Sequence, residues 1–277
     1  LKKKKSDAAV LTGLIILAAL LLYIGISTLS NMGKVVNKAY ELTNAADWYM
    51  LNSAAAVENM EEIFENRNEI ESFEKTPVYY VTQSGFIVNG EKSESDYSFM
   101  LAPAEEERNI SRLYPEYEGV LSDDEILLPY YMKNALHVET GDKFCFVMEG
   151  RTYDFKVGGF HEDPLFANPM NVSTYKCYIT GKRAEEIAAH ESGVLSYMEC
   201  KAKLKEGTDS NRFLMEISDE INEKLPETTQ TFNFSFIWTS IRYGDTMSAS
   251  IGMGVVLVFA VLLIGIAVII TRFSIGN

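Results

Sequence analysis

Two stretches of the chain hold no charged side chain: Ala8 to Ser30, AAVLTGLIILAALLLYIGISTLS, and Ser248 to Thr271, SASIGMGVVLVFAVLLIGIAVIIT. In a helix rising about 1.5 Å per residue, roughly 20 apolar residues cover the roughly 30 Å hydrocarbon core of a bilayer. Both stretches are predicted to be membrane helices. A charge at the centre of either would cost about 3 kcal/mol on an insertion scale, so its absence is informative. A signal peptide is the competing reading of the first, but its apolar part is only about 7 to 15 residues and ends at a small-x-small cleavage pattern. No such pattern clearly ends this one.

Between these stretches the periodicity changes repeatedly. Val35 to Leu42 continues helically, and Ala46 to Leu51 is apolar and aromatic like a short strand. Val57, Met60, Ile63, Phe64 and Ile70 recur at helical spacing, with Glu58, Glu61, Glu62 and Glu65 on other faces, predicting one amphipathic helix over Val57 to Ile70. Val78 to Val81, Gly85 to Val88 and Tyr97 to Leu101 read as strands joined by turns such as Asn89-Gly90. The block from Leu127 to Phe160 reads strand, short helix, then hairpin. Phe144, Phe146 and Met148 alternate with Cys145 and Val147, Glu149-Gly150 supplies the turn, and Tyr153, Phe155 and Val157 alternate on the return. Gly141-Asp142 is a turn that ends the helical piece. A strand at Ser173 to Thr180, a helix at Lys182 to His190, a strand at Leu195 to Leu204, a helix at Ser210 to Lys224 and a strand around Thr231 to Ile237 complete the region. The expectation is an α+β domain with mixed, mostly antiparallel pairing, in one or two subdomains, flanked by two membrane helices.

The mean hydropathy of -0.03 averages these dissimilar parts. The chain carries 25 Lys and Arg against 39 Asp and Glu. Setting aside Lys2 to Lys5, Arg272 and Asp7, which flank the apolar stretches, leaves 20 basic and 38 acidic residues, so the middle is near -18. A region that acidic speaks against nucleic acid, whose phosphates need Lys and Arg, and against anionic lipid heads. Lys2 to Lys5 place the N-terminus in the cytoplasm, and Arg272 marks the return there. The expected organisation is a cytoplasmic segment at 1–7, a membrane helix at 8–30, an extracytoplasmic domain at 31–245, a second membrane helix at 246–271 and a cytoplasmic start at 272–277, in a multi-pass membrane protein. Ser250 with Gly254, and Ala249 with Met253, form rows on which another helix backbone can approach, the alternative being that glycine is simply common in membrane helices. The chain begins at Leu1 and stops six residues after Thr271, so a segment of a longer membrane protein is expected.

Catalytic chemistry is sparse. There is no G-x-x-x-x-G-K-[ST] phosphate loop, no G-x-S-x-G elbow and no H-E-x-x-H helix. Cys145, Cys177 and Cys200 allow at most one internal disulfide; no C-x-x-C exists, and they read as small core hydrophobes. His161, beside Glu162 and Asp163, reads as part of a solvated turn, because consecutive side chains point apart and rarely converge on one ion. His137 and His190 have no partner in sequence. Glu105 to Glu107 and Asp123 to Glu125 lack the spacing of a calcium loop and read as solvated faces. Asn109, Asn171 and Asn233 head N-x-S triplets that matter only in a eukaryotic secretory pathway. No catalytic, metal-binding or cofactor-binding residue and no cofactor is expected.

Several stretches together resemble a known family. LKKKKSDAAVLTGLIILAALLLYIGI looks like the entry segment of FtsX/MacB-type ABC transporter permeases, and ELTNAADWYML resembles their first exterior strand. LLPYYMKNALHVETGDKFCF with YDFKVGGFHEDPLF is similar to their core, Gly141 and Asp142 being the most pattern-like positions, and VIITRFSIGN resembles the end of their second helix. The resemblance spans nearly the whole chain through loose motifs, and the third and fourth helices of the family are missing. It implies a non-catalytic permease component with a MacB-like periplasmic core. Its partners would be a separate ABC-type ATP-binding subunit, a second permease copy or repeat, membrane lipid and an extracytoplasmic protein or peptide. Its function would be mechanotransmission, coupling ATP binding and hydrolysis to movement of the exterior domain for export, extrusion or signalling. The alternative is the ligand-sensing ectodomain of a membrane receptor or histidine kinase, which shares the order helix, exterior α+β domain, helix.

Overall fold

The computed structural model describes residues 2–58, 60–93, 97–166, 174–224, 234–237, 252, 254, 256–266 and 268. Two compact units emerge, Leu1–Lys38 with Arg242–Asn277, and Ala39–Ile241.

In the first unit, α1 (Lys2–Thr43) is one long helix, and residues 256–266 are helical. The rest of the Ser248 to Thr271 stretch, apart from 252, 254 and 268, lies outside the described residues, as do Arg272 and the Ser250, Ala249 and Met253 rows. A Cβ placed on Gly25 would come 3.0 Å from Val256 Cγ1, so the two helices meet where a glycine allows it. Ala18 and Ala260 are buried, whereas Ile15, Leu20, Ile24, Val258, Phe259 and Val261 are all about half exposed or more. Within Ala8–Ser30, side chains are described only at 12, 13 and 15–27. Among the described residues no helix is long and apolar enough to cross a membrane.

The second unit is built on a ten-stranded sheet in which β2 (Ile70–Val88) is the spine. Over Ile70 to Val81 it pairs with β9 (Val194–Leu204), and beyond β9 lie β1 (Trp48–Asn52) and β10 (Phe234–Ile237). Past a bulge between Val81 and Ser84, β2 instead pairs with β6 (Lys143–Met148). Its other side carries β4 (Tyr97–Pro103) and the two-residue β3 (Glu91–Lys92). The order continues through β8 (Thr174–Ile179), β5 (Glu125–Pro129) and β7 (Arg151–His161) back to β6, closing a six-stranded barrel. The bulge makes this possible, since an extra residue bends the strand and increases its twist. Of the ten ladders between these strands, β4–β8 and β5–β7 are parallel and the other eight antiparallel.

The barrel interior takes the alternating positions read from the sequence. Phe144, Phe146, Met148, Tyr153, Phe155 and Val157 pack with Phe99, Leu101, Ile126 and Leu128 in one core. Asn89-Gly90 and Glu149-Gly150 turn the chain with positive φ at both residues, the pattern of tight hairpins. Gly141 has φ +97° in the turn before β6, where Asp142 accepts from the Glu139 N–H at 2.8 Å. α4 (Tyr130–Leu136) and α5 (Gly181–His190) add Met132, Ala184 and Ile187 to this core. On one face of the open sheet, Trp48, Met50, Cys200 and Ala202 pack against α2 (Ala54–Glu58), α3 (Glu61–Glu65) and α6 (Ser210–Lys224). The opposite face carries Tyr49, Leu51, Val78, Met100 and Tyr178.

Two expectations are corrected. The single amphipathic helix over Val57 to Ile70 is two short helices, α2 and α3, followed at Ile70 by β2. Its apolar positions Val57, Met60, Ile63 and Phe64 are buried as expected, but Ile70 starts the strand that β9 pairs as far as Val81. The separate strands at Val78 and Gly85 are parts of the same 19-residue β2. Pro77 lies within it, before β4 joins at Tyr79, where the strand still has a free side for a residue without an N–H.

Candidate functional site

Between β4 and β5 runs a strap, residues 104–124, with no helix or strand of its own. Loops longer than about 12 to 15 residues without regular structure are uncommon in compact domains, and are either functional or linker segments. The strap is acidic, with seven carboxylates against Arg108 and Arg112. Its two ends are fixed at one place, the N-terminus of α5. The Glu105 carboxylate accepts from the Gly181 N–H at 2.9 Å, and Asp123 accepts from the Thr180 hydroxyl at 2.7 Å while pairing with Lys182. These donors hold the Asp123 carboxyl below its ordinary range, the Lys182 bond foremost. Thr180 caps α5 by accepting from the Arg183 N–H at 3.3 Å. In mid-strap, the Asn109 and Ile110 N–H groups donate to Glu74 at 2.8 and 3.0 Å. Arg112 donates from its backbone N–H to the Thr43 carbonyl and from Nε to the Leu42 carbonyl, each at 2.8 Å.

The strap borders a groove of about 690 Å³. Its lining mixes Glu106, Glu107 and Glu116 with Tyr114, Tyr117 and Val120, and Val120 is 92% exposed. Arg108 is buried at its inner side. Nη1 donates to the Pro103 and Glu106 carbonyls at 2.7 and 3.0 Å, and the guanidinium lies 5.2 Å over the Tyr178 ring. Its Nε and Nη2 are sealed from solvent without a hydrogen-bond partner.

Several charges are buried on the same face of the sheet. Alternation along β8 and β9 turns Tyr175, Cys177, Cys200 and Ala202 into the apolar cores, so Lys176, Glu199 and Lys201 must project the other way. Lys176 pairs with Glu199 and lies 3.6 Å from Asp163; Glu199 accepts from the Thr76 hydroxyl at 3.1 Å; Lys201 pairs with Glu74 at 2.9 Å and lies 3.6 Å from Glu199. Glu74 therefore joins this network to the strap. Asp163 accepts from the Leu165 and Phe166 N–H groups at 2.8 and 2.9 Å. Burial opposes the charge on Glu199, but Lys176, Lys201 and Arg108 outweigh it and hold the carboxyl well below the usual range. Burial likewise opposes the Lys176 charge, and Glu199 overrides it and raises the ammonium. Burial and then Glu199 push the Tyr49 hydroxyl well up. Burial raises the Cys145 thiol to about 11 and the Cys177 thiol further. Each of these groups is locked in its charged or neutral form near neutral pH. Burial, and Lys176 with it, lower the Lys201 ammonium while Glu199 and Glu74 oppose them, and the ion pairs of Lys176 with Glu199 and of Lys201 with Glu74 tie the strands together.

His161 is a correction. The expected solvated turn is the end of β7, and the imidazole is fully buried, edge-on to Tyr178 at 4.8 Å between ring centroids. Nε2 lies 3.0 Å from the Lys176 carbonyl, and burial lowers the ring to about 4, so it is neutral and its Nε2–H donates. The neighbouring side chains do point apart: Asp163 is buried and Glu162 is exposed. His137 is the exposed residue at the end of α4, and His190 is exposed with Nδ1 2.7 Å from the Glu186 carbonyl. Glu105 to Glu107, Asp123 and Asp124 are exposed as expected. The three cysteines are buried and unbridged. Among the described residues, no group of three or more His, Cys, Asp and Glu side chains is placed to hold a metal ion. Asn171 and Asn233 lie outside the described residues. The strap and the buried charges were not read as a site from sequence, because charged residues alternating with apolar ones in a strand resemble an ordinary wet face.

No family model and no curated protein matches the chain. Among solved structures, it is similar to the periplasmic region of MacB from Actinobacillus actinomycetemcomitans, with 10% identity over 75% of this chain and 97% of that one and a TM-score of 0.36. It is similar to a domain named as part of a permease protein from Porphyromonas gingivalis, with 10% identity over 70% and 91% and a TM-score of 0.34. A protein named as a lipoprotein from Bacillus anthracis is similar with 13% identity over 63% and 92% and a TM-score of 0.32.

Proposed function

We propose that this chain is part of the membrane-spanning permease subunit of an ABC transporter, with residues 31–245 outside the cytoplasm. One observation carries the membrane placement: the large apolar side chains left open on α1 and on the helical residues 256–266. Ile15, Ile16, Leu17, Leu20, Ile24 and Ile26 on the first, and Val258, Phe259, Val261, Leu262 and Ile264 on the second, are each about half exposed. Soluble monomers rarely leave a contiguous apolar patch of more than a few hundred Å² to water, so hydrocarbon is the environment that suits these two helices. The charge-free stretches are also long enough, and Lys2 to Lys5 set the orientation.

The resemblance of the entry segment, first exterior strand and Gly141-Asp142 core to FtsX/MacB-type permeases selects a transporter over a sensory receptor. In this reading the chain performs no covalent chemistry. ATP hydrolysis belongs to a partner subunit, and its closing moves the membrane helices, which in turn move the exterior domain. Locked charges and sealed thiols in the exterior domain suit a body that transmits force.

The test is whether an ATP-binding-cassette protein is encoded beside the gene and, co-expressed with the full protein, purifies with it in detergent. The expected result is a stable complex whose ATPase rate changes with the permease present. A kinase or linker domain following Asn277 in the parent chain, or the absence of any such complex, would contradict the reading.

A further inference from the structure

We propose that the strap is a coupling clip: it completes the C-terminal end of α1 and the N-terminus of α5 at once, so that neither end loosens without loosening the other. The contacts all lie within residues 39–241, and the inference does not rest on the permease reading.

Each of the two helix ends lacks the charge that suits it. A helix leaves its last four carbonyls and its first four N–H groups without partners, and its dipole favours a cation at the C-terminus and an anion at the N-terminus. The last turn of α1 holds no basic residue and includes Glu41; the first turn of α5 holds no acidic residue and includes Lys182 and Arg183. Both ends therefore carry the unfavourable sign in their own sequence.

The strap supplies what they lack. Arg112 brings a cation to the end of α1, donating from its backbone N–H to the Thr43 carbonyl and from Nε to the Leu42 carbonyl, each at 2.8 Å. The Ser111 N–H donates to the Asn44 carbonyl at 2.9 Å. In return the Asn44 side-chain amide donates to the Asn109 carbonyl at 2.8 Å, and the Ala46 N–H to the Ser111 hydroxyl at 3.1 Å. Asn44 itself has φ +48°, the left-handed conformation that commonly ends a helix. At α5 the strap brings two carboxylates to a first turn that has none: Glu105 accepts from the Gly181 N–H, and Asp123 accepts from the Thr180 hydroxyl and pairs with Lys182.

One segment without regular structure thus joins two helix ends. Fixing each residue's backbone costs entropy, so the bonds at 109–112 and at Asp123 share the cost of ordering the ten residues between them. That stretch is itself tied down: the Tyr114 carbonyl accepts from the Glu162 N–H at 2.6 Å, and Leu121 is buried. A displacement at one end is passed along docked chain and not absorbed by slack. Glu74 holds the same segment to β2, one carboxylate oxygen accepting from the Asn109 and Ile110 N–H groups and the other from Lys201. Because α1 is unbroken from Lys2 to Thr43, a shift of its end must carry the strap with it or break these bonds.

Hydrogen exchange on the full chain in uncharged detergent tests the coupling by reading each end while the other is perturbed. Segments containing Ala46 and Gly181 report the two ends, since both N–H groups donate to strap side chains. Arg112→Ala should speed exchange at Gly181, and Asp123→Asn should speed it at Ala46, each by about fivefold, the size expected from losing one charged hydrogen bond. Arg67→Ala, which breaks the pairs with Glu216 and Glu220 elsewhere in the unit, should change both reporters by less than about twofold. β9 should stay protected in all three variants. Acceleration confined to the substituted end, an equal effect of Arg67→Ala, or a matching rise in β9 would overturn the proposal.

Discussion

Glu199 sits at the centre of the buried charges of the 39–241 unit. Its carboxylate is fully buried and touches Lys176, Thr76 and Lys201, which come from three strands. Glu199→Gln leaves two ammonium groups near an uncharged amide, and breaking a buried pair from one side costs about 3 to 5 kcal/mol. A downward shift of the thermal midpoint in detergent, followed by intrinsic fluorescence, measures it. Removing both partners with Lys176→Met and Glu199→Met should recover part of the loss, because the cost lies mainly in the unpaired charge. The pH dependence follows from the shifts. Glu199 is depressed, so its contribution is present above the unfolded carboxyl pKa and is lost only as pH falls through a folded value well below that. Lys176 is raised, so its contribution is present below the unfolded lysine value and is lost only above a still higher pH. The pair is therefore insensitive to pH across the neutral range. His161 behaves otherwise. With a folded value of about 4 against about 6.5 unfolded, the unfolded chain binds more protons between those values, and stability falls by about 3 kcal/mol as pH drops from 6.5 to 4. Denaturant midpoints against pH should show this slope in the natural protein and a flatter one in His161→Gln.

At the scale of elements, the strap and α1 carry the testable claims. The Asp123 bonds to Thr180 and Lys182 form one of two latches at the α5 N-terminus. Asp123→Asn should raise amide hydrogen exchange in residues 104–121 while leaving β4 and β8 protected, since exposed ion pairs contribute little to global stability but can order a loop. Unchanged exchange would show that Glu74 and the buried Leu121 hold the strap unaided. In α1, two glycines inserted after Lys34 interrupt the helix, each costing about 1 kcal/mol of helix propensity. If force passes along this helix, transport or ATPase coupling should be lost while expression and the partner's basal ATPase persist.

Across the whole molecule, the elements with strong alternation were legible in sequence. The hairpin Phe144 to Val157 and the helix Ser210 to Lys224 appear where the pattern put them, because hydrophobic periodicity and positive-φ turn pairs are local signals. What was not legible depends on contacts distant in sequence. β2 was divided at its bulge, and its start at Ile70 was read as helix, because nothing local says that β9 and then β6 will pair with it. The buried charges Lys176, Glu199 and Lys201 looked like the wet side of strands, since only the sheet order brings the strap over them. The acidity of the middle region was plain from composition.

The central claim is that the acidic unit stands outside a membrane held by two helices. Labelling with a membrane-impermeant maleimide in intact cells tests it, using single cysteines introduced by Lys3→Cys, Glu206→Cys and Ser274→Cys. Cys145, Cys177 and Cys200 are buried, so the background should be low. The account predicts labelling of Glu206→Cys in intact cells, and of Lys3→Cys and Ser274→Cys only after the membrane is opened. Recovery of the protein in the soluble fraction, or labelling in the opposite order, would contradict it.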